Sequence, residues 1–402
     1  MIAGTPLLDL DDVASVEAAD SGGILRSAAS GGAQVRATAA AVAEDALVRL
    51  HDLRPRSLVL VSGSGSAARA AGLLIATLAD RAGLPIVATS TVPPWVGPLD
   101  VVLVAGDDAG DPRLIDAVDR ALRRGAEVVV AAPDEGPLRA AAAGRAVVLA
   151  PRVPVLDHNR MLRYLATGLA VLAAVDPGRG GALIPDLDRL AEVLDAEALR
   201  DGPANQVFHN PAKSMAARMQ AHRLILAGDS PAADQVARHG AEVLLSAAGE
   251  IAAATTLGDA VAAHTRLNDA AGAGAPGFDP LFHDEELDGP APVQRARVFV
   301  LSTDPDQSAA RRRLAVFGVG GLVDADLVAV DADLAAAEPG GAPAPQPPDG
   351  YGTGGGVPAR GNEIELLAVL ALRLEMTAAY VRLLGGPPAA AEHSAHYDGG
   401  HF

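Results

Sequence analysis

No cysteine occurs among the 402 residues, so a disulfide framework, a zinc–thiolate site and a thiol nucleophile are all excluded. Aromatic residues make up only 3% of the chain, which leaves few platforms for stacking bases. The 32 basic residues are outnumbered by 50 acidic ones and form no cluster of the kind that grips a phosphate backbone, so nucleic acid is not expected as a partner. Lysine is nearly absent: Lys213 is the single lysine among the basic residues. Long apolar runs are missing too. Met161 to Val175 comes nearest, but it is interrupted by Arg163 and flanked by Asp157 and Asp176, so no membrane span is expected. No Gly-Lys-Ser/Thr tripeptide is present, which argues against Walker-type nucleotide hydrolysis. The acidic N-terminal residues lack the regions of a signal peptide, and the expected location is the cytoplasm.

What is present is an acidic chain with a net charge of -18 and half its residues hydrophobic, long enough for two domains. Its clearest chemical feature is a buried-strand pattern at Leu58–Val61 that breaks into Ser62-Gly63-Ser64-Gly65-Ser66 and then an alanine-rich helical pattern. Glycines let backbone approach a ligand, serines offer hydroxyls, and a helix start offers unpaired N–H groups to an anion. A phosphate suits such a turn; a tight turn without ligand is the plain alternative. NAD is disfavoured, because Ala68 stands where a third glycine belongs and Thr89-Ser90-Thr91 where a ribose-binding acid belongs. No cofactor is implied.

The pattern along the chain predicts an α/β protein. A helical segment over residues 1–56 precedes apolar runs at Leu58–Val61, Pro85–Ala88, Val101–Ala105, Val128–Ala132 and Val147–Ala150. Helical segments Ala67–Ala82 and Pro112–Arg124 lie between them. Continuous rather than alternating apolar strands belong in a parallel sheet covered on both faces, which gives a first domain over 57–152. A helical connector follows over 153–202, then a second α/β set over 203–335. That set comprises Leu224–Ala227, helix Ala232–Leu245, strand Arg297–Ser302, helix Asp306–Phe317 and strand Leu327–Val330. Asp269 to Gly289 reads as a long polar loop. A Pro/Gly linker over 336–361 leads to an apolar helix over 362–386, and 387–402 reads as a disordered tail, with His393, His396 and His401 too loosely spaced for a metal site.

Several segments resemble the sugar isomerase (SIS) domain family, in particular the bifunctional phosphoglucose/phosphomannose isomerases. Ser62-Gly63-Ser64-Gly65-Ser66 resembles the family's first phosphate-binding turn, and Thr91-Val92-Pro93-Pro94-Trp95-Val96 the segment before its second sheet strand. Asn210-Pro211-Ala212-Lys213 is similar to the motif opening the family's second domain, Arg238 to an arginine of the helix that follows, and Pro280-Leu281-Phe282-His283-Asp284-Glu285 to the run that carries its ring-opening histidine. The resemblance implies two tandem SIS domains with N- and C-terminal helical segments, a homodimer, and a sugar phosphate as ligand. Gly63, Ser64, Gly65, Ser66, Lys213 and Arg238 become the substrate-binding candidates. If the chain is active, the implied reaction is aldose–ketose isomerisation through an enediol, with His283 opening the ring and a carboxylate moving the proton. The helix over 362–384 offers a dimer surface, or packs back on its own domain. Lys213 has a plain alternative as a solvated lysine at a helix start, and His283 as a surface histidine.

The chain departs from the family at three places, one of them the final helix, where the family's lysine has no counterpart and Arg373 and Arg382 keep positive charge without being able to exchange protons near neutral pH. Where the family binds phosphate with hydroxyls, after Val101–Val104, stand Asp107, Asp108 and Asp111. Carboxylates accept rather than donate hydrogen bonds; a solvated turn and helix N-cap is the favoured reading, and a bridging cation the other. The catalytic glutamate would fall at Leu245, inside a run that reads as packed core, which leaves Glu250 as the nearest replacement. Three functions stay open: an isomerase with a rebuilt site, a non-catalytic sugar-phosphate binder, and a scaffold or metabolite-sensing subunit that has lost the phosphate site.

Overall fold

The computed structural model describes residues 8–272, 295–319, 321–330 and 361–385. Two parallel sheets are built one after the other, each flanked by helices. The first contains β1 (Ser57–Ser62), β2 (Ile86–Thr89), β3 (Asp100–Ala105), β4 (Glu127–Ala131) and β5 (Val147–Val148) in the order β2-β1-β3-β4-β5. The second contains β6 (Arg223–Gly228), β7 (Ala252–Thr256), β8 (Ala296–Ser302) and β9 (Val323–Ala329) in the order β7-β6-β8-β9.

The central strands form where the apolar runs are, because a strand covered on both faces has no reason to alternate. In β1, Leu58 and Leu60 join the large core cluster on one face, while Val59 and Val61 pack with Val102, Val104, Val128 and Val130 on the other. The sequence gives no warning of β7. Ala252-Ala253-Ala254-Thr255-Thr256 has little strand propensity, and pairing with β6 from Leu224↔Ala252 to Gly228↔Thr256 imposes the conformation.

Helices α1 (Val13–Ala19), α2 (Ile24–Ala29) and α3 (Gly31–Ala43) precede the first sheet. Within and after it come α4 (Ser66–Leu78), α5 (Pro112–Arg123), α6 (Gly136–Ala142), α7 (Met161–Val175) and α8 (Leu187–Arg200). The second half adds α9 (Pro211–Met219), α10 (Pro231–Ala248), α11 (Leu257–Ala262), α12 (His264–Gly272), α13 (Ser308–Leu314) and α14 (Gly361–Gly385). One core serves both sheets: Leu73 and Leu74 of α4, Leu165 and Leu169 of α7, Leu226 of β6, Val236 and Leu244 of α10 and Leu367, Leu370 and Leu374 of α14 belong to one buried cluster. Helices α4 and α10 approach closely, since a Cβ built on Gly72 would stand 2.5 Å from Gln235 Oε1.

Of the two fates the sequence leaves open for α14, its own chain takes the helix. The described side chains from Ile364 to Tyr380 are almost all buried, so this helix is interior rather than a face for a second copy. Its charged residues are therefore paired inside. Arg373 Nε donates to Glu197 Oε1 at 2.6 Å and its Nη1 to Ala329 O at 3.0 Å, while Glu375 meets His239 Nε2 at 2.8 Å and accepts from Asn159 Nδ2 at 3.1 Å. Burial pushes the Glu375 carboxyl upward, against the hydrogen bond from His239. Burial and the neighbouring Glu197 carboxylate together push Asp201 up to about 8.

Removing one partner of such a pair strands a buried charge. Arg373→Met is expected to cost about 3–5 kcal/mol, read as a lower urea midpoint. An unchanged midpoint would show that α14 does not depend on this pair.

Candidate active-site mouth

In the first sheet the chain leaves β1 toward β2 on one side and returns through β3 on the other, so the crevice at the carboxyl ends of β1 and β3 is the topological switch point where α/β sheets take ligands. The turn Ser62–Ser66 lies there. Gly65 occupies the N-cap position of α4 with φ 73° and ψ −144°, a conformation open to glycine alone, and no side chain caps the helix. Ser64 and Gly65 are exposed and Gly63 half-buried, whereas Ser66 is buried. The turn thus presents one free hydroxyl and the uncapped start of a thirteen-residue helix.

The loop after β3 faces this turn. A Cβ built on Gly63 would stand 3.9 Å from Asp111 Oδ2. Asp111 caps α5 by accepting from the Arg113 amide at 2.8 Å, and Pro112 opens the helix, as the sequence predicts. Partial desolvation raises the Asp111 carboxyl, but the Arg113 amide and guanidinium outweigh it and hold the group below the usual range. Asp108 is exposed and accepts from the Gly110 amide at 2.7 Å. Asp107 corrects the solvated-turn reading: it accepts from Tyr164 Oη at 2.5 Å and pairs with Arg160 at 3.0 Å and Arg163 at 3.6 Å. Burial raises the Tyr164 pKa, so its phenol stays protonated as donor.

The second half contributes α10. Arg69, in the first turn of α4, reaches Glu242 at 3.3 Å and Gln235 at 3.4 Å. As α4 runs back from Gly72 toward its start, α10 runs on from Gln235 toward Glu242. Arg238, Glu242 and Leu245 are exposed on this helix. Leu245 is therefore not the core residue its run suggests: Val243 and Leu244 are buried, but Leu245 is 57% exposed. Glu250 is half-buried just beyond Gly249, which ends α10 in the left-handed conformation. His283 and most of the loop 269–289 lie outside the described residues, as do His393, His396 and His401.

Lys213 has another task. It is fully buried, and its ammonium donates to Leu10 O at 2.5 Å, Pro203 O at 2.8 Å and Asn205 O at 2.8 Å, with the Tyr380 ring 5.7 Å away. All three protons are taken, none is left for a ligand, and the solvated-lysine reading is corrected as well. Burial pushes its pKa below the ordinary lysine range. Asn210, at the N-cap of α9, accepts from the Lys213 amide at 2.8 Å and fixes the side chain's origin.

The switch point of the second sheet, between β6 and β8, suits an anion poorly. Burial raises Asp229 there, with Asp304 adding to the rise. Among the described residues no group of three or more His, Cys, Asp or Glu could hold a metal ion.

Two parallel sheets with this crevice define the tandem sugar-isomerase fold of the phosphosugar isomerases. The tagatose-6-phosphate ketose/aldose isomerase of Escherichia coli is similar with a TM-score of 0.55 and 16% identity, over 92% of this chain and 95% of that one. A hypothetical protein from Thermus thermophilus is similar with a TM-score of 0.57 and 12% identity, over 94% and 90%. At these identities the likeness is one of fold. No family model matches the sequence, and no curated protein does.

Lys213→Met keeps the apolar stem and strands three carbonyls. The expected result is a loss of at least about 2 kcal/mol in thermal or urea unfolding, with the ligand affinity of the folded protein unchanged. A fully stable variant would contradict the pinning role.

Proposed function

We propose that the chain binds a phosphorylated sugar at the carboxyl-edge mouth of its first sheet and holds it without isomerising it. The observation that carries this reading is the start of α4, an uncapped helix opened by Gly65 at φ 73° beside the exposed Ser64, at the switch point of the sheet. In this reading the phosphate sits on the first amides of α4, that of the buried Ser66 among them, within reach of the Ser64 hydroxyl, with Gly63 and Gly65 keeping the backbone close. Arg238, exposed on α10, is then a further candidate for a charged contact with the ligand. The named E. coli neighbour acts on a ketose/aldose 6-phosphate, which supports a hexose 6-phosphate as the first ligand to test, and the sequence resemblance points to fructose, glucose and mannose 6-phosphates.

Isomerisation needs a carboxylate free to take a proton from the sugar carbon. Asp111, Asp107 and Glu242 each hold an arginine already, and the position matching the family's base carries Leu245. These pairings support binding over turnover. Glu250 is the rival, since among the described residues no arginine pairs with it.

Fructose 6-phosphate is expected to raise the Tm where fructose does not, by about 2.7 kcal/mol of stabilisation at a hundredfold excess over Kd, with no glucose or mannose 6-phosphate formed. Absence of any shift would leave a scaffold that binds nothing in the turn. Turnover that disappears in Glu250→Gln would establish the isomerase instead.

A further inference from the structure

The last turn of α8 carries Glu197, and Asp201 caps the helix one turn further on. Both are buried, at 1% and 0% exposure. The turn between them is intact, because the Asp201 amide donates to Glu197 O at 2.8 Å, so the two side chains leave one face of the helix with Cβ atoms about 5–6 Å apart. The guanidinium that meets them is Arg373 of α14, 4% exposed, whose Nε donates to Glu197 Oε1 at 2.6 Å. Asp201 Oδ1 accepts from the Ala212 amide at 3.1 Å. The remaining oxygens, Glu197 Oε2 and Asp201 Oδ2, are buried and have no hydrogen-bond partner among the described residues.

Two anions beside one guanidinium, away from solvent, would leave a charge uncompensated and two acceptors unfilled. One hydrogen resolves both. A carboxyl at Asp201 donates from Oδ2 to Glu197 Oε2; Glu197 remains the anion that Arg373 neutralises, and Asp201 Oδ1 remains the acceptor for Ala212. Burial, and then the Glu197 charge, raise the Asp201 carboxyl to about 8 against Arg373, the Ala212 amide and Arg200. The other groups around the site do not supply a second cation inside it. On α14, Tyr380 donates its hydroxyl to Asp201 O at 2.7 Å, and burial keeps that phenol protonated, with Asp201 and Asp20 adding to the effect. On α9, the Lys213 ammonium is taken by Leu10, Pro203 and Asn205. Helices α2 and α3 carry Arg26 and Arg36 as their charged residues; Arg26 is exposed, and Arg36 is paired with Asp195.

We propose that Asp201 is protonated at neutral pH and donates to Glu197, which makes the joint of α8, α9 and α14 a pH-sensitive latch that loosens toward alkaline pH. The proton holds several elements at once. Ala212 lies in the first turn of α9, and Arg373 also donates from Nη1 to Ala329 O at the end of β9, so losing the hydrogen weakens the contacts of α8 with both neighbours. The direction follows from a folded-state value above the ordinary one. The stability that this proton contributes is complete below the unfolded value of about 3.9 and is lost as pH rises through about 8. The latch is independent of what the mouth of the first sheet binds.

The test compares urea unfolding of the full chain with that of Asp201→Asn between about pH 5 and pH 9. Asparagine accepts from Ala212 as before, and its Nδ2 donates to Glu197 Oε2 at every pH, so it stands in for the protonated acid. The unfolding constant of the unmodified chain, divided by that of the variant, is expected to rise about tenfold per pH unit between about pH 5 and pH 7 and to level off above about pH 8. A residue that only packs would shift both chains equally at every pH. Infrared spectra at neutral pH are expected to show the carbonyl stretch of a protonated carboxyl that Asp201→Asn lacks. If that variant does not fold, Glu197→Gln gives the second reading: with the competing anion gone, Asp201 ionises against Arg373 and the same band disappears. Parallel pH profiles, or a protonated-carboxyl band that survives both substitutions, overturn the latch.

Discussion

A carboxylate that neutralises a guanidinium in a half-buried position cannot leave it to take a proton without stranding a charge. That constraint governs the mouth of the first sheet. Asp107 is committed in this way to Arg160 and Tyr164, while Asp111 is spent on capping α5 and on Arg113, and Glu242 meets Arg69 in a solvent-exposed pair that holds it only weakly. What the mouth retains free is donor capacity: the uncapped start of α4 and the Ser64 hydroxyl. A site rich in donors and poor in free base recognises an anionic ligand better than it transforms one.

The mouth keeps this shape because the halves share an interior. Helix α4, which carries the turn, packs on α7, which carries the arginines, and on α10, which carries Glu242. Helix α14 closes the same core through buried leucines and through the Arg373–Glu197 and Glu375–His239 pairs. Lys213 ties the segment before α1 and the segment before α9 to one point by donating to Leu10, Pro203 and Asn205. Buried charges thus fix which surfaces meet, while apolar area supplies the cohesion.

The sheet was legible in the sequence where physics leaves one choice. Runs such as Leu58–Val61 and Val101–Val104 are strands buried on both faces, and they pair as such. Asp111-Pro112 reads as a helix start and is one. The misses share a cause, which is that the deciding partner is distant along the chain. Strand β7 is alanine and threonine, held by β6. The partners of Arg373 and Glu375 in α14 are not named by the sequence, because Glu197 and His239 lie more than a hundred positions away. Leu245 sits beside two buried neighbours yet faces out, and Lys213 is notable by its rarity but not by its three carbonyls.

Binding without chemistry is tested most directly by proton NMR of fructose 6-phosphate with the protein in D2O. Enediol formation would exchange the C1 hydrogen with solvent even if no product accumulated. The account predicts line broadening of the bound sugar and no loss of the C1 signal over hours. Deuterium entering at C1 would contradict it, because a free base would then be present at the mouth.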